Sequence, residues 1–177
     1  MLQVITLVSM LVLVALDQLI KLLVIDYLKP IGSYPLIDGF IQLNYAENTG
    51  AAFGSLSGYT DFLSIFTLIL IVVGILALML KKIKFGVEYV CVALIIAGGL
   101  GNLIDRVFRG FVVDYIEPLF IDFAIFNFAD ILVTCSAFVL IGWLIYVAYR
   151  DSKKEKDSQN EWIINWSSTG ISRWKNW

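Results

Sequence analysis

Apolar residues gather in four long blocks, Leu2–Ile25, Phe62–Leu80, Val87–Ile104 and Ile131–Tyr149. A helix that crosses the hydrocarbon core needs about 20 mostly apolar residues, so each block predicts a membrane-spanning helix. Between the first two blocks, Tyr34–Ile37 and Phe40–Tyr45 are short β-branched and aromatic runs flanking Asp38-Gly39, a pair suited to a hairpin turn. Phe111–Ile116 and Ile121–Phe128, between the last two blocks, have the same character. These four stretches are either unrelated loops or the strands of a small sheet lying over the helix ends, and the sheet is the preferred reading. Asn48–Ser57, rich in glycine, alanine and serine, is expected to turn the chain into the second span.

Basic residues orient the helices. Lys81, Lys82, Lys84, Arg150, Lys153, Lys154, Lys156, Arg173 and Lys175 follow the second and fourth spans, whereas only Lys29, Arg106 and Arg109 follow the first and third. The positive-inside rule then places both termini in the cytoplasm and turns residues 26–61 and 105–130 outward. The first block has no basic leader and no A-x-A site, so it is read as a retained span rather than a cleaved signal. The expected fold is an all-α membrane protein with four transmembrane helices and a small extracytoplasmic β-sheet. Residues 1–150 form the helical domain and 151–177 a cytoplasmic tail. The tail is densely charged over Asp151–Glu161, which suits solvent, and then carries Trp162, Trp166, Trp174 and Trp177. It is either an interfacial anchor or a dispensable extension.

Composition supports the membrane reading. Apolar residues make up 59% of the chain, above the roughly 45–50% of soluble domains, and mean hydropathy is +0.84. A soluble domain of 177 residues could not hide that much apolar surface. The formal charge of −2, with no basic stripe among aromatics, argues against nucleic acid. No histidine is present, which removes the commonest general base and metal ligand. Cys91 and Cys135 lie within apolar runs and have neither disulfide nor zinc spacing. No metal or cofactor is expected.

Charges inside spans are costly and mark candidate function. Asp17 and Lys21 are four apart and share a helix face, as a structural ion pair or as part of a site. Gly98, Asn102 and Arg106 recur every fourth residue, with Asp105 beside them. The glycines Gly98, Gly99 and Gly101 permit close helix packing, and the polar line must face protein or water. Asp114 stands alone in an apolar run, where desolvation would raise its pKa, or else faces solvent from an edge strand. Asp130 opens the fourth span, where it or Asn127 could simply cap the helix.

The topology brings Asp114 and Asp130 to the same side, on the segment joining spans three and four. If that segment folds back, two carboxylates about 3 Å apart would share one proton, one acting as base on a water and the other donating to a scissile carbonyl. This chemistry needs neither histidine nor metal. A serine–lysine pair of Lys21 with Ser55 or Ser57 is not excluded by spacing. Other readings are a transporter or proton relay using Asp17, Lys21, Asp105 and Arg106, and a membrane scaffold without chemistry.

Five ordered motifs add a resemblance. Asp17-Gln18-Leu19-Ile20-Lys21, Asn48-Thr49-Gly50-Ala51-Ala52-Phe53, Gly101-Asn102-Leu103-Ile104-Asp105-Arg106, Val112-Val113-Asp114-Tyr115 and Phe126-Asn127-Phe128-Ala129-Asp130 resemble those of bacterial lipoprotein signal peptidase, or signal peptidase II. The resemblance covers about residues 10–150. It implies an outer β-cradle and an aspartyl endopeptidase that cuts diacylglyceryl-modified prolipoproteins immediately before the lipidated cysteine. It assigns catalysis to Asp114 and Asp130, and substrate contact or dyad orientation to Asn48, Asn102, Arg106 and Asn127. Asp17, Lys21, Gly98 and Asp105 are then supporting residues. It also implies inhibition by globomycin at the dyad, contact with membrane lipid, action as a monomer and residence in the bacterial cell membrane. The tryptophan-rich tail departs from the pattern but lies on the other side of the membrane from the site.

Overall fold

The computed structural model describes residues 1–50 and 60–173, with side chains described through residue 164. Ala51, Ala52, Phe53, Ser55 and Ser57 therefore lie outside the described residues, as do Trp174, Trp177 and the side chain of Trp166. The chain runs α1 (Leu2–Leu23), a π-helical turn (Val24–Leu28), β1 (Ser33–Ile37), β2 (Ile41–Asn48), α2 (Thr60–Met79), α3 (Val87–Arg109), β3 (Val112–Pro118) and α4 (Phe128–Arg173). Leu2–Leu28, Thr60–Met79, Val87–Arg109 and Phe128–Ile164 are long and apolar enough to cross a membrane. The protein is a multi-pass membrane protein.

Two compact units are resolved. The first, Met1–Val139, contains every sequence-selected polar residue and the whole sheet; the second begins at Leu140 and continues α4. In the first unit α3 is the most buried helix, and Ala93, Ile96, Ala97 and Leu103 pack with Met10 of α1 and Ile71 and Leu78 of α2. The opposite faces of α1 and α2 expose Leu11, Val12, Ile65, Leu70 and Val73, a surface suited to lipid. In the second unit Asp151–Ile164 is helical and exposed.

The sheet is antiparallel in the order β1-β2-β3. Tyr34 pairs with Leu43, Gln42 with Glu117 and Asn48 with Val112. The β2–β3 register slips between Leu43 and Ala46, which sets Ala46 opposite Asp114. Such a slip is how a strand re-aims a side chain. Val113 and Tyr115 of β3 pack on Val24 and Leu28, fastening the sheet to the C-terminal end of α1.

Three expectations need correction. Ile121–Phe128 does not form a strand; Phe126 makes one bridge to Ile116, and α4 starts at Phe128. The apolar character of that stretch has another cause. Within it Phe123 meets Phe126 edge-on with ring centroids 5.9 Å apart, and Ile121 and Phe123 remain exposed. The third span continues past Ile104 to Arg109, so Asp105 and Arg106 are helical rather than part of a loop. The fourth helix does not stop near Tyr149, because the Glu- and Lys-rich stretch after it is a good helix former as well as a soluble one.

Gly98 governs how closely α3 meets α4. A Cβ there would lie 2.5 Å from the Ala129 carbonyl oxygen and 2.8 Å from Val133 Cγ2. Gly98→Ala is expected to destabilise the protein by about 1–3 kcal/mol through overpacking. Thermal melting in detergent checks this, and an unchanged melting temperature would remove the close-contact role.

Candidate active site

The first turn of α4 is held from three elements. A helix N-terminus leaves four backbone N–H groups without helical partners. Here the Phe128 N–H donates to Tyr115 Oη (3.2 Å), the Ala129 N–H to Asp17 Oδ1 (3.2 Å) and the Asp130 N–H to Asn127 Oδ1 (3.0 Å). Asp130 returns the contact, since its Oδ2 accepts from the Asn127 N–H at 3.1 Å. Asn127 and Asp130 thus form a reciprocal capping box. The capping function considered for both residues is real, and it leaves Asp130 Oδ1 to accept from Asn102 Nδ2 at 2.8 Å.

Asn127 is also the bridge to Asp114. Its Nδ2 donates to Asp114 Oδ1 at 2.6 Å, while Asn48 Nδ2 donates to Asp114 Oδ2 at 2.9 Å. Asn127 is fully buried and Asp114 is 2% exposed. Burial, and then the nearby charge of Asp130, raise the Asp114 carboxyl from 3.8 to about 6, against the lowering effect of the bonds from Asn48 and Asn127. Folding therefore takes up a proton between pH 3.8 and about 6, and stability falls as pH rises through that window, by up to about 3 kcal/mol. Asp114→Asn is expected to flatten this dependence and to melt above wild type at about pH 7. Parallel melting curves for the two proteins across the window would contradict it.

Behind this pair lies a closed ionic cluster. The Lys21 ammonium, with no exposed surface, contacts Asp17 Oδ2, Asp105 Oδ2 and Asn102 Oδ1, each at 2.9 Å. Three donors meet three acceptors, so the ammonium is saturated. Arg109 pairs with Asp105 from the next turn of α3 and donates to Gln18 Oε1 at 3.0 Å. Two cations thus balance two carboxylates, which a buried cluster requires. Asp105 Oδ2 also accepts from the Val113 N–H at 3.1 Å, tying β3 to α3 one residue before Asp114. A Cβ at Gly101 would sit 2.5 Å from Asp17 Oδ2, so only glycine leaves the cluster its place.

Lys21 also decides which way the Asn102 amide faces. An ammonium can only donate, so Asn102 Oδ1 turns to it and also accepts from Asn127 Nδ2 at 3.2 Å. The Asn102 NH2 group is then left to address Asp130.

Two cavities open onto the aspartates from different directions. One, of about 480 Å³, is lined by Asp114, Asn48, Gly50, Asp122 and Ile125 on the sheet side. The other, of about 360 Å³, runs between α2, α3 and α4 and is lined by Asp130, Asn102, Arg106, Ile71, Ile96 and Val133. Arg106 Nη2 donates to the Gly50 carbonyl at 3.2 Å, and its buried Nε has no hydrogen-bond partner among the described residues. Among the described residues no group of three or more histidine, cysteine or acidic side chains converges as a metal site.

Asn48, Asn102, Asn127, Asp114 and Asp130 therefore meet in one hydrogen-bonded network, with Arg106 at its edge. Asp17, Lys21 and Asp105 form the closed cluster behind it, and Gly98 sets the α3–α4 contact. A serine–lysine pair finds no support, since all three Lys21 donors are engaged. Nor do Asp17, Lys21 and Asp105 form a file of charges along the bundle; they are a sealed knot. Three contributors were not singled out from the sequence: Tyr115, Gln18 and Arg109. Gln18 donates to the Gly101 carbonyl (3.0 Å), to Asp17 and to Asp105. The four-residue step from Asp105 to Arg109 was a readable signal for that pair; nothing local announced Tyr115.

Residues 9–146 match the family described as signal peptidase (SPase) II, Peptidase_A8. A lipoprotein signal peptidase of Caldanaerobacter subterraneus subsp. tengcongensis is 45% identical over 134 residues, covering 75% of this chain and 89% of the relative. One from Clostridioides difficile is 41% identical over 145 residues, covering 80% and 93%. A solved bacterial membrane enzyme, determined by the in meso method at 2.3 Å resolution, superposes with a TM-score of 0.70 at 34% identity, covering 80% of this chain and 87% of that one.

Proposed function

The chain belongs to the signal peptidase II family of aspartic peptidases, and from that membership we propose that it removes signal peptides from diacylglyceryl-modified prolipoproteins, cutting immediately before the lipidated cysteine. The observation that carries the residue assignment is the double contact of Asn127, whose side chain holds Asp114 and whose backbone holds Asp130. Asp114 is the carboxyl raised to about 6, which suits it to keep the shared proton and donate it to the scissile carbonyl. Asp130, fixed by Asn102 and by the capping box, takes a proton from the attacking water. The new C–O bond forms as the carbonyl accepts Asp114's proton; collapse then breaks the C–N bond, the leaving amine receives the proton held by Asp130, and one hydroxyl of the tetrahedral intermediate returns its proton to Asp114 as the C=O bond reforms. The reaction needs one carboxyl protonated and the other ionised, so activity is expected to fall at both acid and alkaline pH.

Asn48 and Asn102 orient the two carboxyls. Arg106, which lines the same cavity as Asp130 and has a donor without a partner among the described residues, is suited to hold a substrate carbonyl. The cavity between α2, α3 and α4 suits the membrane-embedded signal peptide side, and the sheet-side cavity suits the mature segment leaving outward. With both termini cytoplasmic, the site lies at the outer surface, where a diacylated substrate resides. Globomycin would compete for the same carboxyls, and a single chain suffices for every group named.

Incubation of the purified chain with a diacylglyceryl prolipoprotein, followed by mass measurement of both products, tests this. Cleavage is expected just before the lipidated cysteine, with the unlipidated precursor left intact. Cleavage elsewhere, or equal cleavage of the unlipidated precursor, would overturn the substrate assignment.

A further inference from the structure

At the end of the bundle opposite Asp114, where Gln3 Nε2 of α1 donates to the Met79 carbonyl of α2 at 2.7 Å, a separate cavity of about 400 Å³ opens. Its buried wall includes Leu78 and Tyr89, with no exposed and 4% exposed surface respectively. Ile83 and Phe85 continue the apolar lining, and Lys81 and Lys84 supply its charge. No acidic residue lines the cavity, and neither lysine makes an ion pair among the described residues.

Lys81 is an outlier in a second respect. The Lys82 N–H bonds to the Ala77 carbonyl at 2.9 Å and the Lys81 N–H to the Leu78 carbonyl at 3.2 Å. This is the bond pattern of a Schellman end to α2, with Lys81 at the left-handed position. Its φ is +56°, the only positive value at a non-glycine among the described residues. Glycine is favoured there because it has no Cβ. A lysine kept in an unfavourable conformation at the mouth of an apolar cleft points to a use for its ammonium. Because α2 and α3 cross the membrane, this loop sits at the polar–apolar boundary, where lipid phosphates lie.

We propose that this cleft is a binding site for the headgroup phosphate of an anionic phospholipid, held by Lys81 and Lys84, with Ile83 and Phe85 against the glycerol and first acyl carbons. The site is independent of the peptidase site. Lys82 has the same charge in the same loop but does not line the cavity, so it separates a built site from diffuse attraction of the loop.

The test is titration of the full chain, purified in a zwitterionic detergent, with short-chain phosphatidylglycerol, followed by native mass spectrometry and melting temperature. Saturable binding and a rise in melting temperature are expected for wild type and for Lys82→Gln. A Lys81→Gln/Lys84→Gln double variant should bind about 30-fold more weakly, and Lys81→Gly, which relieves the backbone, about fivefold more weakly while folding at least as well. The site is overturned if Lys82→Gln loses as much as the double variant, if Lys81→Gly binds like wild type, or if phosphatidylcholine binds equally. Equal stabilisation by inorganic phosphate would overturn the lipid assignment.

Discussion

Asp114→Asn and Asp130→Asn should each lower the rate of prolipoprotein cleavage by at least about 10³-fold, with substrate binding little changed. Positioned proton transfer by a single group contributes about 10²–10⁴-fold. In the proposed mechanism each carboxyl has a distinct role, and neither performs both. The two losses should not add, because a pair that acts as a unit fails when either half is removed. The double variant should therefore be no slower than the worse single one. Both side chains can be changed without collapse. Asn at 114 still offers an oxygen to Asn127 or Asn48, and Asn at 130 still offers one to the Asn127 N–H or Asn102. Single-turnover rates, with binding measured separately, check this. Near-native activity in either variant would leave the other carboxyl acting alone and end the paired mechanism.

Lys21→Met carries the second large effect, on stability. Removing the ammonium leaves the buried carboxylates of Asp17 and Asp105 with Arg109 as the one remaining cation of the cluster. Breaking a buried ion pair from one side costs about 3–5 kcal/mol, and the variant is expected to melt far below wild type. Combining it with Asp17→Asn restores the balance of one carboxylate to one guanidinium and keeps an oxygen available to the Ala129 N–H. Much of the stability should return. Activity should not, because Asn102 no longer has an ammonium to set its amide toward Asp130. Recovery of both together would reduce Lys21 to a structural cation; recovery of neither would mean that the charge balance is not what holds the cluster.

The parts of this arrangement that were legible in the sequence are those carried by periodicity. Four apolar blocks gave four helices, and Asp38-Gly39 placed the β1–β2 turn. The spacing of Asp17 and Lys21 predicted a shared face, which they have. Asn102 and Asp105 sit beside one another on α3 as their spacing required. What was not legible depends on contacts between distant segments. Asp17 has a second task, capping α4 from across the bundle at Ala129, and no pattern around residue 17 announces it. Tyr115 looks like one more aromatic in a strand until its hydroxyl is found on the Phe128 N–H. Asn127 and Asp130 looked like alternative caps; together they are a reciprocal box that still has one oxygen and one amide to spare for Asn102 and Asp114. Residues 121–128 depart from expectation in a different way. Their apolar side chains are exposed or stack on one another without strand pairing, so hydrophobicity there did not report secondary structure.

Access to the two carboxyls is also a matter of tertiary placement. Asp114 lies on the sheet-side cavity and Asp130 on the cavity among the helices, so in the proposed function a substrate chain passing from one cavity to the other would meet both. A buried dyad reachable from water alone would not suit a lipid-anchored substrate, and one reachable from lipid alone would lack the attacking water.

The most direct measurement of the paired mechanism is a structure of the chain bound to a lipidated substrate peptide whose scissile amide is replaced by a tetrahedral carbinol. The carbinol oxygen is predicted to lie within about 2.6–3.2 Å of a carboxyl oxygen of both Asp114 and Asp130. A carbinol bound in contact with only one of them, or seated elsewhere in the bundle, would contradict it.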